Sequence, residues 1–186
     1  MSKLEANTIA PSTGTTLTLG ESGDTVAVGS GATANGFGLA MADQWRITAT
    51  TNDGTDADVT SNWERNDSTG AGFLGSAMTE SSGIFTFPST GIYLIQASFY
   101  IIQSSDASAT VRTAITTNNS SYSDVAYANS NNSGNSTAPS FFIFDVTDTS
   151  NCKVKFRTTS FASGTSIYGE TSGNYSSVAF IRLGDT

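Results

Sequence analysis

The chain has 186 residues, of which 37% are hydrophobic and only 13% are charged, and its formal net charge at pH 7 is −8. This length suffices for one domain with a substantial core and a small appendage. The acidic balance excludes the basic surface that nucleic-acid binding requires, and the lysines (Lys3, Lys153 and Lys155) form no polybasic membrane patch.

The sequence contains no histidine. This excludes Ser-His-Asp and Cys-His triads, histidine metal sites and the usual general base near neutral pH. No apolar run reaches transmembrane length, and the first five residues do not open a signal peptide, so we expect synthesis in a cytoplasm. The single cysteine, Cys152, forms no internal disulfide, and we expect a buried thiol.

The first 38 residues differ from the rest. Residues 16–20 (Thr-Leu-Thr-Leu-Gly) are echoed nine positions later by residues 25–29 (Thr-Val-Ala-Val-Gly), and each copy predicts a short β rung closed by glycine. Such rungs are too short to be stable alone. We predict an anchoring arm over residues 1–38, with Leu17, Leu19, Val26 and Val28 as its contact residues; the alternative is an exposed linker with weak β character.

Residues 39–186 contain strand patterns at short intervals and no stretch that favours a helix. The predicted strands are 44–51, 63–65, 83–87, 92–102, 110–116, 123–128, 141–146, 153–158, 167–169 and 176–183. About eight to ten short strands separated by turn residues predict an all-β fold, an antiparallel β-sandwich of the jelly-roll type. We expect the apolar C-terminal strand to lie inside a sheet.

Two of these strands carry apolar side chains on both faces. In residues 92–102 the alternate positions from Tyr93 are apolar, which indicates the core face, while the opposite face is mixed. In residues 141–146 we expect Phe142 and Phe144 to point inward. The outward residues then form a candidate subunit interface: Leu94, Tyr100, Ile102, Phe141 and Ile143. The alternative is that a loop covers them.

One motif in the predicted head is moderately specific. Residues 83–93 have the spacing Gly-x-Phe-x-x-Pro-x-x-Gly-x-Tyr ahead of a long strand, and residues 175–184 end in an aromatic strand closed by glycine. This resembles the C1q and tumour-necrosis-factor (TNF) jelly-roll superfamily over residues 44–184. The resemblance implies a homotrimer. The chain lacks the Gly-x-y tract of collagen-bearing C1q relatives, so their immune role is not implied.

The arm has a second resemblance. Residues 16–26 (Thr-Leu-Thr-Leu-Gly-Glu-Ser-Gly-Asp-Thr-Val) are similar to short β repeats in fibre and decoration proteins of tailed bacteriophages, particularly those of marine and cyanobacterial hosts. Such proteins often join an N-terminal anchoring region to a trimeric jelly-roll head. This resemblance implies a virion protein and leaves its place in the virion open.

Carboxylates provide the remaining candidates for chemistry. Asp53, Asp56 and Asp58 lie around the Gly54 turn and are a weak candidate for Ca²⁺, although a solvated turn explains the same cluster, so we expect no cofactor. Glu64 beside Trp63 and Glu170 near Tyr168 are the candidate acidic residues near aromatic ones, as a glycan-cleaving enzyme would need. Acids beside aromatics are more often ordinary surface, so we expect no enzymatic activity.

These observations predict a non-enzymatic, trimeric capsid decoration (cement) or head-fibre protein, displayed on the particle surface and bound to the major capsid protein through its arm. The alternative is a short tail fibre or receptor-binding protein that recognises host surface glycans through the loops between Asn118 and Asn135. We expect no nucleic-acid or membrane partner in either case.

Overall fold

A computed structural model describes residues 9–15, 17–27, 30, 39–103, 108–131 and 134–186. The chain divides into two compact units, Met1–Phe37 and Gly38–Thr186. In the first unit a tight turn is closed by Asp24, whose N–H donates to the Glu21 carbonyl (3.0 Å) and whose Oδ2 accepts the Glu21 N–H (2.8 Å). The predicted division into an anchoring arm and a head stays a prediction.

The predicted β rungs are not formed by the single chain where it is described. Residues 17–20 and 25–27 belong to no strand, and Leu17, Leu19 and Val26 are 42%, 56% and 58% exposed. The physical reason is that two apolar side chains per rung cannot bury one another without a partner surface. Val28 lies outside the described residues.

The described part of the second unit contains twelve strands and no helix. The strands are β1 (Met41–Ile47), β2 (Ala49–Thr51), β3 (Trp63–Arg65), β4 (Thr79–Ser81), β5 (Ile84–Thr86), β6 (Gly91–Ile102), β7 (Ala109–Thr116), β8 (Ser123–Ser130), β9 (Ser136–Val146), β10 (Lys153–Thr159), β11 (Ser166–Glu170) and β12 (Ser177–Gly184). With no helix among the described residues, none is long and apolar enough to cross a membrane.

The strands form two antiparallel sheets. The seven-stranded sheet has the order β2-β11-β6-β12-β1-β3, and β9 pairs along the other edge of β6. The five-stranded sheet has the order β4-β5-β10-β7-β8. This jelly-roll sandwich confirms the predicted fold class. The C-terminal strand β12 lies between β6 and β1, as its apolar sequence predicted.

The core between the sheets is built from aromatic rings. Phe85 makes edge contacts with Trp45 (centroids 5.5 Å apart) and Trp63 (5.0 Å) and packs against Phe180 at 5.1 Å. These contacts join β1, β3 and β12 of one sheet to β5 of the other. Because aromatic side chains bury large areas, this cluster is a main source of the hydrophobic stabilisation.

The Gly-x-Phe-x-x-Pro-x-x-Gly-x-Tyr motif has a structural explanation. Gly83 completes a two-residue hairpin between β4 and β5, with φ of +81°, and a Cβ there would approach the Val59 carbonyl oxygen to 2.2 Å. At the far end of the motif Tyr93 is fully buried, its ring lies 4.7 Å from Phe87, and its hydroxyl donates to the Ser89 carbonyl (3.0 Å). The first glycine of the motif therefore shapes the β4–β5 hairpin, and its tyrosine attaches the start of β6 to the core.

Two details differ from the sequence prediction. The single predicted strand over 44–51 is two strands that pair with different partners: β1 with β12 and β3, and β2 with β11. Ala49, which the alternation placed beside Trp45 and Ile47 on the core side, is therefore exposed. The short strand β4 was not predicted, since Thr-Glu-Ser has no alternating apolar pattern.

Candidate functional site

The outer face of the seven-stranded sheet carries an exposed apolar patch, which we define as Leu94, Phe141 and Ile143. Phe141 is 74% exposed and Ile143 is 56% exposed, so no loop in the described part of the chain covers them. Leu94 lies directly opposite Ile143 in the β6–β9 pair and opposite Ile181 in the β6–β12 pair. Directly opposed residues share a face, so Ile181, Leu94 and Ile143 form one apolar row across three strands.

The inward residues of β9 are also as predicted. Phe144 and Val146 are buried and Phe142 is half-buried against the core. The period-2 alternation of a strand then forces Phe141 and Ile143 outward. The outward orientation of the two residues is confirmed, whereas their role in a subunit interface stays a prediction.

Grooves flank Phe141 on both sides of β9. One, of about 290 Å³, is lined by Leu94, Gln96, Pro139, Ser140 and Phe141. The other, of about 310 Å³, lies between β8 and β9 and is lined by Val125, Ala126, Tyr127, Pro139, Ser140 and Phe141. Phe141 therefore projects as a ridge between two hollows at the corner where the face of one sheet meets the edge of the sandwich.

The other predicted interface residues lie elsewhere on the sheet. Tyr100 is six residues from Leu94 along β6, roughly 20 Å away, and its ring packs against Tyr168 and Tyr175. Ile102 is half-buried at the end of β6, opposite Ser166 of β11. The sequence placed all five residues on one face, and the structure separates them into two regions of that face.

Two of the three aspartates of the calcium candidate have other partners. Asp58 pairs with Lys155 (Oδ2 to Nζ, 2.6 Å), and Asp56 Oδ1 accepts the N–H of Phe161 (2.8 Å). Asp53 is exposed in the turn. Among the residues that the structure describes, no group of three or more Asp, Glu, His or Cys side chains is arranged to hold a metal ion.

The acidic residues considered for catalysis also have assigned partners. Glu64 pairs with Arg46 (Oε2 to Nη2, 2.9 Å). The Tyr168 hydroxyl donates to Glu170 Oε2 (2.8 Å), and this hydrogen bond, with a second from Ser172, lowers the pKa of Glu170. A glycosidase acid needs a raised pKa so that it stays protonated near neutral pH. The environment of Glu170 therefore favours the opposite state.

The loops that the fibre alternative invoked are partly described. Asn118 Oδ1 accepts the backbone N–H groups of Ser120 (3.0 Å) and Ser121 (2.9 Å), so this amide closes its own turn. Residues 132 and 133 lie outside the described residues. Cys152 is buried, as the sequence predicted.

Sequence reasoning missed a buried carboxylate at one end of the core. Asp43 is 3% exposed and accepts hydrogen bonds from Trp45 Nε1 (3.0 Å) and the Met78 N–H (2.9 Å), while Arg65 Nε lies 3.1 Å from it. Its signal was present in the sequence: Asp43 is in phase with Met41, Trp45 and Ile47 in a strand of period 2.

A second missed group is Arg46 on the outer face of the same strand. Its guanidinium donates to Glu64 Oε2 (3.0 Å), Ser68 Oγ (2.7 Å) and Asp67 Oδ1 (2.6 Å), and the residue is 2% exposed. These contacts hold the loop after β3 over the sheet. No sequence signal pointed to them, because they join residues that are about twenty positions apart.

Comparison with known proteins gives the fold alone. The sequence matches no protein-family model and no curated protein. Among solved structures, the chain is similar to murine APRIL (TM-score 0.58, 11% identity, covering 77% of this chain and 98% of that one). It is also similar to the Eiger TNF of S. frugiperda (TM-score 0.61, 15% identity, covering 78% and 93%).

A further similarity is to PRD1 vertex protein P5, with a TM-score of 0.47, 14% identity, and coverage of 78% of this chain and 99% of that one. This likeness is too weak to support an argument about function. The solved structures thus show that the chain has a fold like the TNF jelly roll. It agrees with the superfamily that the 83–93 motif indicated.

Proposed function

We propose that the protein is a non-enzymatic, homotrimeric structural protein of a tailed-bacteriophage virion that decorates the capsid. The observation that carries the assembly is the apolar patch, in which Phe141 and Ile143 are exposed beside the half-buried Leu94 on the face of one sheet. Burial of each large apolar side chain contributes about 1.5–3 kcal/mol. The likeness of the arm to phage β repeats supports the virion and capsid part of the proposal.

The shape of the patch favours a ring over a two-fold dimer. Leu94 and Ile181 lie on the sheet face, whereas Phe141 and Tyr127 border the edge groove between β8 and β9. When the edge of one copy packs on the face of the next, the contact is heterologous, and such contacts form a ring when the rotation between copies closes. Three copies follow from the resemblance to the trimeric C1q and TNF superfamily.

The assembly is tested by the mass in solution, measured by light scattering after gel filtration. We expect about three times the chain mass of 19.3 kDa. The double variant Phe141→Ser/Ile143→Ser is expected to run as a monomer with its β-sheet circular dichroism retained. Phe73→Ser is the matched control, because Phe73 is equally exposed (56%) but lies outside the patch, and its mass is expected to stay trimeric.

A monomeric wild type would overturn the trimer. A trimer that survives the double substitution would show that the interface lies elsewhere on the chain.

The capsid role is tested with a full-length variant of the arm. Leu17→Asp/Leu19→Asp/Val26→Asp places charges at the exposed apolar positions of residues 17–27. We expect loss of binding to purified capsids that lack the protein, with the trimer mass unchanged. Full capsid binding by this variant would move the anchor into residues 39–186.

The place in the virion is tested by immunogold electron microscopy of the parent particles. Label distributed over the heads supports decoration. Label confined to the tail contradicts it and favours the short tail fibre, with host glycans as its target.

A further inference from the structure

Three tyrosines form a cluster at the far end of the outer face from the apolar patch. Tyr100 on β6, Tyr168 on β11 and Tyr175 just before β12 meet in edge-to-face contacts. Their ring centroids are 5.6 Å (Tyr100–Tyr168), 5.9 Å (Tyr100–Tyr175) and 5.0 Å (Tyr168–Tyr175) apart. We call this group, with the loop 170–175, the tyrosine corner. Tyr175 is 43% exposed, so the corner presents an aromatic surface to solvent.

Polar groups surround these rings. A shallow cavity of about 170 Å³ is lined by Ser172, Gly173, Asn174 and Tyr175. Glu170 lies beside it and is held by the Tyr168 hydroxyl at 2.8 Å. Asn174 Oδ1 accepts from Asn66 Nδ2 (3.2 Å), which ties the loop to the segment after β3. A hollow lined by one aromatic ring, an amide and a hydroxyl, with the Glu170 carboxylate two residues before Ser172 in the chain, suits a ligand that has both apolar faces and many hydroxyls.

The backbone under the corner is rigid. Ser176 is fully buried; its hydroxyl accepts the Tyr100 N–H (2.9 Å), and its carbonyl accepts the Ile47 N–H (2.9 Å). The residue next to Tyr175 is therefore attached to both β6 and β1. A ligand that binds here meets a preformed surface and loses little free energy to ordering it.

We propose that the tyrosine corner binds a neutral glycan, with a sugar ring against Tyr175 and sugar hydroxyls on Glu170, Ser172 and Asn174. The carboxylate and the net charge of −8 disfavour uronic and sialic acids and other anionic sugars. This inference goes beyond the structural role proposed above and does not depend on it. The corner is separated from the apolar patch by roughly 20 Å along β6.

Affinity electrophoresis of the full-length protein tests the site. Native gels contain dextran, mannan or galactan as neutral polysaccharides, and polygalacturonate as the anionic comparison. We expect retardation by at least one neutral polysaccharide and none by polygalacturonate. Tyr175→Ala is expected to weaken that interaction by roughly tenfold. Phe73→Ala is the matched control, since Phe73 is a 56% exposed aromatic residue outside both the corner and the apolar patch, and it should leave the retardation unchanged.

The inference is overturned if none of the neutral polysaccharides retards the wild type, or if Tyr175→Ala is retarded as strongly as the wild type. Equal loss in Phe73→Ala also overturns it, because binding would then not be specific to the corner. Light-scattering masses of the same samples separate this result from the trimer hypothesis. A monomer that is retarded supports the corner and contradicts the trimer; an unretarded trimer does the reverse.

Discussion

Gly91 begins β6 with φ of +142°, a conformation that side-chain-bearing residues rarely adopt. A Cβ at this position would approach Arg182 Nε to 2.4 Å and the Gly184 carbonyl oxygen to 2.5 Å. We therefore expect Gly91→Ala to lower the free energy of unfolding by about 2 kcal/mol or more, measured by urea denaturation. Gly72→Ala is the control, because a Cβ there meets nothing within 4 Å, and its stability should be unchanged. Equal midpoints for the two variants would contradict this account.

The Asp43 carboxylate acts only as an acceptor: the Trp45 indole N–H and the Met78 backbone N–H both donate to it. In Asp43→Asn the amide NH₂ group would face one of these donors, and Arg65 would lose its counter-charge. We expect a loss of roughly 2–4 kcal/mol in unfolding free energy. Asp53→Asn, at an exposed turn position, should have no effect. A stable Asp43→Asn variant would show that this end of the core tolerates an unpaired donor.

The charge state of Glu170 predicts that glycan binding at the tyrosine corner is independent of pH around neutrality. The hydrogen bond from Tyr168 lowers the pKa of Glu170 and raises the pKa of Tyr168, so each group keeps its neutral-pH state over a wider range. A depressed acid pKa means that the carboxylate persists as pH falls and is lost only below the usual value for Glu of about 4.3. We expect glycan retardation to be constant between about pH 5 and 9. A loss near pH 6 would contradict the assigned role of Glu170.

At the scale of residues, the sequence predicted the direction in which strand side chains point but did not identify the partners of buried charges. The period of β9 was enough to place Phe141 and Ile143 outward, because a strand has two faces and one was already filled by Phe144 and Val146. The same alternation places Asp43 on the inward face of β1. A buried acid needs a partner, but the pattern of its own strand does not show which residue that partner is. Arg65 is distant in sequence, so the pair was not predictable.

At the scale of elements, β9 is an edge strand of the seven-stranded sheet, and it contains a proline, Pro139. Pro139 lies opposite Ser98 of β6. Because proline has no backbone N–H, it fits only at a strand position where no hydrogen bond to the neighbouring strand requires that N–H. Its position leaves one donor fewer on the open edge, which discourages pairing with foreign strands.

We expect Pro139→Val to leave the unfolding free energy nearly unchanged and to increase the rate of aggregation on heating, followed by static light scattering. Ala138→Val is unsuitable for comparison because Ala138 is buried; Thr137→Val, exposed on the same strand, is the matched control. Aggregation that rises equally in both variants would assign the effect to added hydrophobicity instead of the new donor.

Strand existence was predictable and strand partition was not. Alternation found β6, β7, β10 and β12 with small errors at their ends, whereas it found β9 without its first five residues, 136–140. It joined β1 and β2, since the break at Thr48 depends on a hydrogen bond from its N–H to the Asn62 carbonyl (2.9 Å) and on pairing with β11. Long-range pairing of this kind leaves no mark on a local pattern.

At the scale of the whole molecule, the proposed trimer would unite three chains of charge −8. Long-range repulsion between them weakens as salt shortens the screening length, which is about 10 Å at 0.1 M. Because the proposed contact is apolar, we expect the trimer mass to persist from low to molar sodium chloride and the trimer to resist dilution better at high salt. Dissociation by added salt would contradict an apolar interface and indicate ion pairs between the copies.

The tyrosine corner shows the limit of reading function from sequence at this scale. Tyr100, Tyr168 and Tyr175 come from three separate segments, and only the arrangement of β6, β11 and β12 brings them together. The superfamily resemblance gave the sandwich but not this surface, because residues on an outer face are free to vary without changing the fold.

The thiol of Cys152 can report local opening of the native protein. It is fully buried, and its N–H is bonded to the Asp148 carbonyl at 2.7 Å. A thiol-reactive dye can therefore reach the sulfur only when this part of the sandwich comes apart, so the labelling rate counts opening events in the native protein. A comparison of the labelling rate in whole particles and in free protein would measure how much assembly slows the local opening of each subunit, without an engineered probe.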